Sequence, residues 1–298
     1  MKNEQFAPLL SYVQHTQQDV GSSAAALIVI QDDKIASEWY NGSHHFKSGA
    51  REVSAASLFN LYSARKTYVG LATAIAIVEG NLNIDTPVYA FIDDIPPDEL
   101  GAITLRHLAT KTGAKYFGKN RIEREELAGK VIERITGFNI AELITRKVLQ
   151  PMQLSETEWV TAPKENLVCD FQAGDGYASV RIESNEGHER NLYTSTRDFG
   201  FWGYLHLKKG FINGTQLLPV EVFELFESLK AEEGIEKRIL GWYYQQDWYY
   251  ATGAAGCHCV VVPEFNAVGV RMYNKYTDNY KEDQAVFNST LLNCLKSR

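Results

Sequence analysis

Ser63 and Lys66 stand three residues apart in Phe59-Asn60-Leu61-Tyr62-Ser63-Ala64-Arg65-Lys66. The Ala-rich stretch that follows, Thr67 to Glu79, predicts a helix that Gly80 ends in the left-handed conformation. Ser63 then sits near a helix N-terminus, with Lys66 on the same face. This suits nucleophilic attack on a carbonyl. The helix N-terminus favours developing negative charge, the Ser63 amide can donate to an oxyanion, and a buried Lys66 can be neutral enough to take the hydroxyl proton. Arg65 points elsewhere. The bare S-x-x-K pattern is unspecific, since a chain with this much Ser and Lys carries about one match by chance.

Its surroundings are more specific. Phe59 to Asp85, FNLYSARKTYVGLATAIAIVEGNLNID, resembles the nucleophile helix of the class C β-lactamase, D-alanyl-D-alanine carboxypeptidase and esterase family. Further similar segments follow in the family's order: ITLRHLAT from Ile103, LAGKVIERITG from Leu127, VLQPMQLSETEW from Val148, LYTSTRDFGFWGYLHLKKGFINGTQLLP from Leu192, ILGWYYQ from Ile239 and ATGAAGCHCVVVPE from Ala251. The resemblance covers most of the chain. It implies a serine hydrolase that works through an acyl-enzyme on a small ester, amide or peptide, with no metal and no cofactor.

The family's third motif, Lys-Thr-Gly or His-Thr-Gly on the inner edge strand, matches Ala251-Thr252-Gly253, with alanine in place of the cation. By resemblance, the amide of Ala254 joins that of Ser63 as the second oxyanion donor. Loss of the cation weakens recognition of a substrate carboxylate, which favours an esterase, amidase or peptidase over a true β-lactamase. Lys111-Thr112-Gly113 spells the third motif outright but follows a helix, in the place of the family's His-Thr-Ser-Gly loop, and is set aside. The second motif, Tyr-x-Asn, is missing where it is due, at Asn120-Arg121-Ile122. Tyr116 is the nearest candidate, either as a tyrosinate serving Ser63 beside Lys66, Lys115 and Lys119 or as an aromatic residue packing a loop. Tyr177 and Tyr193 are further cleft candidates. His107 reads as a hydrogen-bonded structural histidine, and the aromatic block of Trp202, Trp242, Tyr243, Tyr244, Trp248, Tyr249 and Tyr250 reads first as core. The two damaged motifs also motivate the alternative of a non-catalytic member that keeps the fold to bind a ligand or partner.

These residues need a scaffold that brings distant segments together. Residues 4–18 predict an amphipathic helix, and Ala24 to Ile30 with Lys34 to Tyr40 a hairpin turned at Gln31-Asp32-Asp33. Tyr243 to Ala251, Cys257 to Val262 and Ala267 to Tyr273 predict three antiparallel strands before a closing helix over 278–297. Between the ends the sequence reads as helices: Leu105 to Leu108, Glu123 to Thr136, Ile140 to Leu149, Thr196 to Lys208 and Pro219 to Leu229. The expected architecture is α/β plus all-α, β-lactamase/transpeptidase-like. One antiparallel sheet built from both termini with flanking helices occupies 1–85 and 232–298, and a mostly helical inserted domain occupies 86–231.

The 298 residues, 45% apolar and 22% charged, can bury a substantial core. A formal net charge of −7 carries no basic footprint for nucleic acid or an anionic membrane surface. No apolar run reaches the length of a signal peptide core or a membrane span, so a cytoplasmic location is expected. Cys169, Cys257, Cys259 and Cys294 do not form a disulfide framework. On a strand, Cys257 and Cys259 face opposite to His258, which argues against a zinc site. The expected partner is a small-molecule substrate, and the sequence leaves oligomeric state open.

Overall fold

The structure is a computed structural model that describes residues 4–110, 115–118, 121–170, 180–232, 238–275 and 280–297. A turn of 3-10 helix, Glu4–Phe6, leads into α1 (Ala7–Val20), which ends at Gly21 in the left-handed conformation. The hairpin β1 (Ala24–Gln31) and β2 (Lys34–Gly42) follows. Asp32 and Asp33 both have positive φ, as a two-residue turn matched to strand twist requires. After β3 (Phe59–Asn60) and a single 3-10 turn, Tyr62–Arg65, comes α2 (Lys66–Glu79). The middle of the chain supplies α3 (Pro97–Leu100), α4 (Leu105–Thr110), β4 (Tyr116–Phe117), β5 (Ile122–Glu123), α5 (Arg124–Thr136) and α6 (Ile140–Ile144), the last continued by a wider turn over Thr145–Leu149. Then come β6 (Thr157–Trp159), β7 (Leu192–Thr194), α7 (Thr196–Leu207), β8 (Phe211–Ile212), β9 (Thr215–Gln216) and α8 (Val220–Ala231). The chain closes with β10 (Arg238–Ile239), β11 (Trp242–Tyr244), β12 (Tyr249–Thr252), β13 (His258–Val262), β14 (Ala267–Tyr273) and α9 (Tyr280–Lys296).

The expected sheet from both ends is present. Seven strands run in the order β10-β11-β12-β13-β14-β1-β2, all antiparallel, and β14 pairs β1 with Ala25 opposite Tyr273 and Gln31 opposite Ala267. Every residue of β1 is buried, because both of its faces are covered. On the outer face Ala25, Leu27 and Val29 pack with Leu9 and Val13 of α1 and Phe287 and Leu291 of α9. On the inner face Ala26, Ile28 and Ile30 join the main core with Phe199 and Trp202 of α7 and most of α2. Helix α2 is buried from Thr67 through Ile77, an apolar rod ringed by α4, α5, α6 and α8. This fixes the turn before it, which carries Ser63.

Two expectations are corrected. Tyr243 to Ala251 is not one strand but the hairpin β11–β12. Gln245, Gln246 and Asp247 are exposed polar residues that turn the chain, with the Gln245 amide donating to the Trp248 carbonyl at 2.9 Å. Gly80 is not left-handed: its φ is −75° and the left-handed residue is Asn81, at φ 49°. Helix α2 still ends at Glu79, but the reversal falls one residue later than Gly80, and an asparagine makes it because its short polar side chain tolerates that conformation.

Candidate active site

Ser63 is placed by what precedes it. Asn60 in β3 is held by pairing with Tyr193, and its side chain donates to the Arg190 carbonyl at 3.0 Å while accepting from the Tyr62 amide at 2.7 Å. Tyr62 is driven to φ 47°, a conformation unfavourable for a bulky side chain. A strain of about 1 kcal/mol or more is thus stored immediately before Ser63. It lifts Ser63, half-buried, onto the single turn that enters α2. Among the described residues the Ser63 hydroxyl makes no hydrogen bond.

Two glycines press the sheet edge against this turn. A Cβ on Gly253, just after β12, would lie 2.2 Å from the Leu61 carbonyl oxygen, and one on Gly241, between β10 and β11, 2.3 Å from the Lys66 carbonyl carbon. Only bare backbone fits at either point. Ala251-Thr252-Gly253 therefore lies beside the Ser63 segment. The Gly253 amide donates to the Cys257 carbonyl at 2.8 Å and its carbonyl accepts from Gly256 at 3.0 Å, a turn that holds Ala254. Neither the Ala254 amide nor the Ser63 amide donates to the backbone among the described residues. Ala251 is fully buried, and no charge stands at its position. Thr252 lines a cavity on the reverse face of the sheet with Tyr250.

Lys66 begins α2 with its side chain largely buried, and its Nζ lies 3.4 Å from Glu125 Oε1. Glu125 also faces Arg124 at 3.2 Å and Arg65 at 4.0 Å. Burial pushes the Lys66 ammonium down and Glu125 pulls it up. Arg238, Arg124 and Arg65 add to the downward push, and the result is about 8. Burial also opposes ionisation of Glu125, yet Arg124, Lys66 and Arg65 outweigh it and hold the carboxyl at about 2. Glu125 is thus an anion at any working pH, and Lys66 is poised between its charged and neutral forms. Arg65, expected to point away, is buried. It donates from Nε to the Glu189 carbonyl at 2.6 Å and from Nη2 to the His188 carbonyl at 3.2 Å, tying the loop before β7 to the Ser63 turn.

The other candidates fall elsewhere. Tyr116 is half-buried in β4, with Lys115 Nζ 4.7 Å and Arg121 Cζ 4.6 Å from its ring centroid. No hydrogen bond joins it to Ser63 or Lys66 among the described residues. Tyr193 is buried in β7 opposite Asn60, and its hydroxyl accepts from the Arg181 amide at 2.8 Å. His107 Nδ1 accepts from the Thr104 amide at 3.1 Å, at the start of α4. Cys257 and Cys259 join the inner core, whereas His258 packs on the outer face against Phe287. Trp202 stacks on Tyr68 at 3.6 Å and donates to Thr67 Oγ1 at 2.9 Å, so it braces α2. Lys111-Thr112-Gly113, Lys119, Asn120 and Tyr177 lie outside the described residues.

Two residues escaped the sequence reading. Glu125 lies in Arg124-Glu125-Glu126, a pattern that reads as the solvated first turn of a helix. Asp170 is buried beside the Tyr62 phenol, and burial raises its carboxyl to about 7 against the lowering effects of Tyr62 and Arg181. Neither had a signal in local spacing.

Among the described residues no helix is long and apolar enough to cross a membrane, and no group of His, Cys, Asp or Glu could hold a metal ion. A family model described as Beta-lactamase matches residues 10–119 and 124–288. An uncharacterized protein of Alkalihalophilus pseudofirmus is 28% identical over 333 aligned positions, which cover 100% of this chain and 98% of that protein. A protein named Beta-lactamase from Escherichia coli (strain K12) is 22% identical over 228 positions, covering 66% of this chain and 59% of that protein. The family match runs through the Ser63 turn, the buried α2 and the strand β12 beside them, and the chain belongs to the Beta-lactamase family.

Proposed function

We propose that this protein is a serine hydrolase that acts through an acyl-enzyme on a small ester, amide or peptide. Ser63 Oγ attacks the substrate carbonyl and its proton passes to neutral Lys66. The oxyanion accepts from the amides of Ser63 and Ala254, Lys66 returns the proton to the leaving group, and water then cleaves the Ser63 ester to release the acid. One observation carries this reading: the Ser63 hydroxyl, the Ser63 amide and the Ala254 amide are all unspent on segments that Gly253 holds in backbone contact. The buried Ala251 removes the cation that would bind a substrate carboxylate, which favours neutral acyl groups. The work is assigned to the cytoplasm and to small molecules rather than to nucleic acid or membrane.

The test is hydrolysis of p-nitrophenyl acetate together with intact-mass measurement after fluorophosphonate treatment. The expected result is turnover lost in Ser63→Ala and one adduct on Ser63. Unchanged turnover in the variant removes Ser63 from the mechanism. A second reading, a non-catalytic member that binds a ligand or partner, is favoured by the Lys66–Glu125 pair, which helps Lys66 keep its proton. It expects no adduct from any reactive probe, so stoichiometric labelling of Ser63 decides against it.

A further inference from the structure

A cavity of about 430 Å³ lies on the face of the sheet turned away from Ser63, between β11–β12 and α9. Side chains alternate along β12: Tyr249 and Ala251 belong to the inner core, while Tyr250 packs outward. One wall is aromatic. Tyr243 stacks on Tyr250 with ring centroids 5.1 Å apart and planes 16° apart, and Trp248 stands 5.7 Å from Tyr250 at 34°. The opposite wall is Gln284, Asn288 and Leu292 of α9.

The polar groups of this wall have hydrogen bonds left to make. His258 is fully buried and packs against Tyr250 and Phe287, and burial keeps its imidazole neutral at working pH. Its Nε2–H donates to Asn288 Oδ1 at 2.6 Å. That bond fixes the Asn288 carboxamide and leaves its NH2 group without a protein partner among the described residues. Gln284 is 7% exposed and its Nε2 has no partner either. Buried amide donors are nearly always satisfied, so the unspent Gln284 Nε2 beside a cavity points to an acceptor that comes from outside. Among the described residues no acidic or basic side chain is part of the cavity lining, which suits an uncharged acceptor. The aromatic wall suits a flat ring.

We propose that this cavity is a binding site for a neutral ring-bearing carboxamide or similar carbonyl compound. The ring lies on Trp248 and Tyr250, and the carbonyl oxygen accepts from Gln284 and Asn288. The site is separate from Ser63 and does not depend on the chain's being a hydrolase.

The test uses benzamide and the full chain, with ligand-observed NMR and Trp fluorescence. Saturable binding is expected at concentrations up to about 10 mM, the range for so small a ligand. Gln284→Leu and Trp248→Ala should each weaken it about tenfold or more, and Ser63→Ala should leave it unchanged. Thermal melts check that the variants are folded; if Gln284→Leu does not fold, Trp248→Ala decides the matter. Absence of saturable binding, binding indifferent to both cavity variants, or binding lost in Ser63→Ala would each overturn the proposal.

Discussion

At the scale of single residues, the governing contest is over the proton on Lys66. Its ammonium is pushed from 10.5 to about 8 by burial and three arginines, in spite of Glu125. If neutral Lys66 is the base, ester hydrolysis rises with pH through an apparent pKa near 8. Glu125→Gln removes the charge that holds the proton, so this limb moves to lower pH. It also leaves Arg124, fully buried, without its counter-charge, at a cost of about 3–5 kcal/mol read as a lower melting temperature. For Lys66 the linkage runs the same way: its folded pKa lies below its ordinary value, so its protonated form opposes folding at neutral pH. Stability is regained as pH rises from about 8 towards 10.5. Gly253→Ala tests the backbone contact, because its Cβ would sit 2.2 Å from the Leu61 carbonyl oxygen. The Ser63 turn must give way, and a loss of about a hundredfold in kcat/KM is expected from a displacement near 1 Å. Ser63 and Lys66 were legible because they share one short helical turn. Glu125 and Asp170 were not, since a buried carboxylate beside a distant cation has no local spacing, and the reversed φ of Tyr62 is imposed by Asn60 and by pairing to β7.

At the scale of elements, the sequence signals that survived were caps and periodicity backed by packing. Helix α6 starts at Asn139, whose side chain accepts from the Glu142 amide while Glu142 reaches back to the Asn139 amide. Asn139→Ala should cost about 1 kcal/mol, or about 2 °C in melting temperature, with the pH profile of hydrolysis unmoved. The hairpin β1–β2 was legible from seven apolar residues, two aspartates and a second strand. The aromatic run Tyr243 to Ala251 misled because aromatic residues favour strands on either side of a turn, and three polar residues between them were enough to reverse the chain. At the end of α2, Gly80 was the obvious stop, but Asn81 supplies the left-handed step.

At the scale of the whole molecule, the outer face is pinned by one buried ion pair. Arg271 of β14, fully buried, donates from Nη1 to Asp283 Oδ1 of α9 at 2.5 Å, and Tyr12 of α1 bonds the same carboxylate. Asp283→Ala strands the guanidinium and should destabilise by about 3–5 kcal/mol, whereas the double change Arg271→Met, Asp283→Leu should cost less. Denaturant melts of the three variants check this. A sheet drawn from both ends was readable in outline because strands cluster at the two termini, but the pairing partners were not. Ser22 and Asn274 join at a separation of 252 residues. A ribosome that has made Ser63 has still to make Gly253, Ala254 and the strands that hold them, so the growing chain carries Ser63 with nothing opposite it. The proposed site is therefore complete only when the C-terminal strands arrive, and a polypeptide cut short before them lacks the backbone that faces the Ser63 turn.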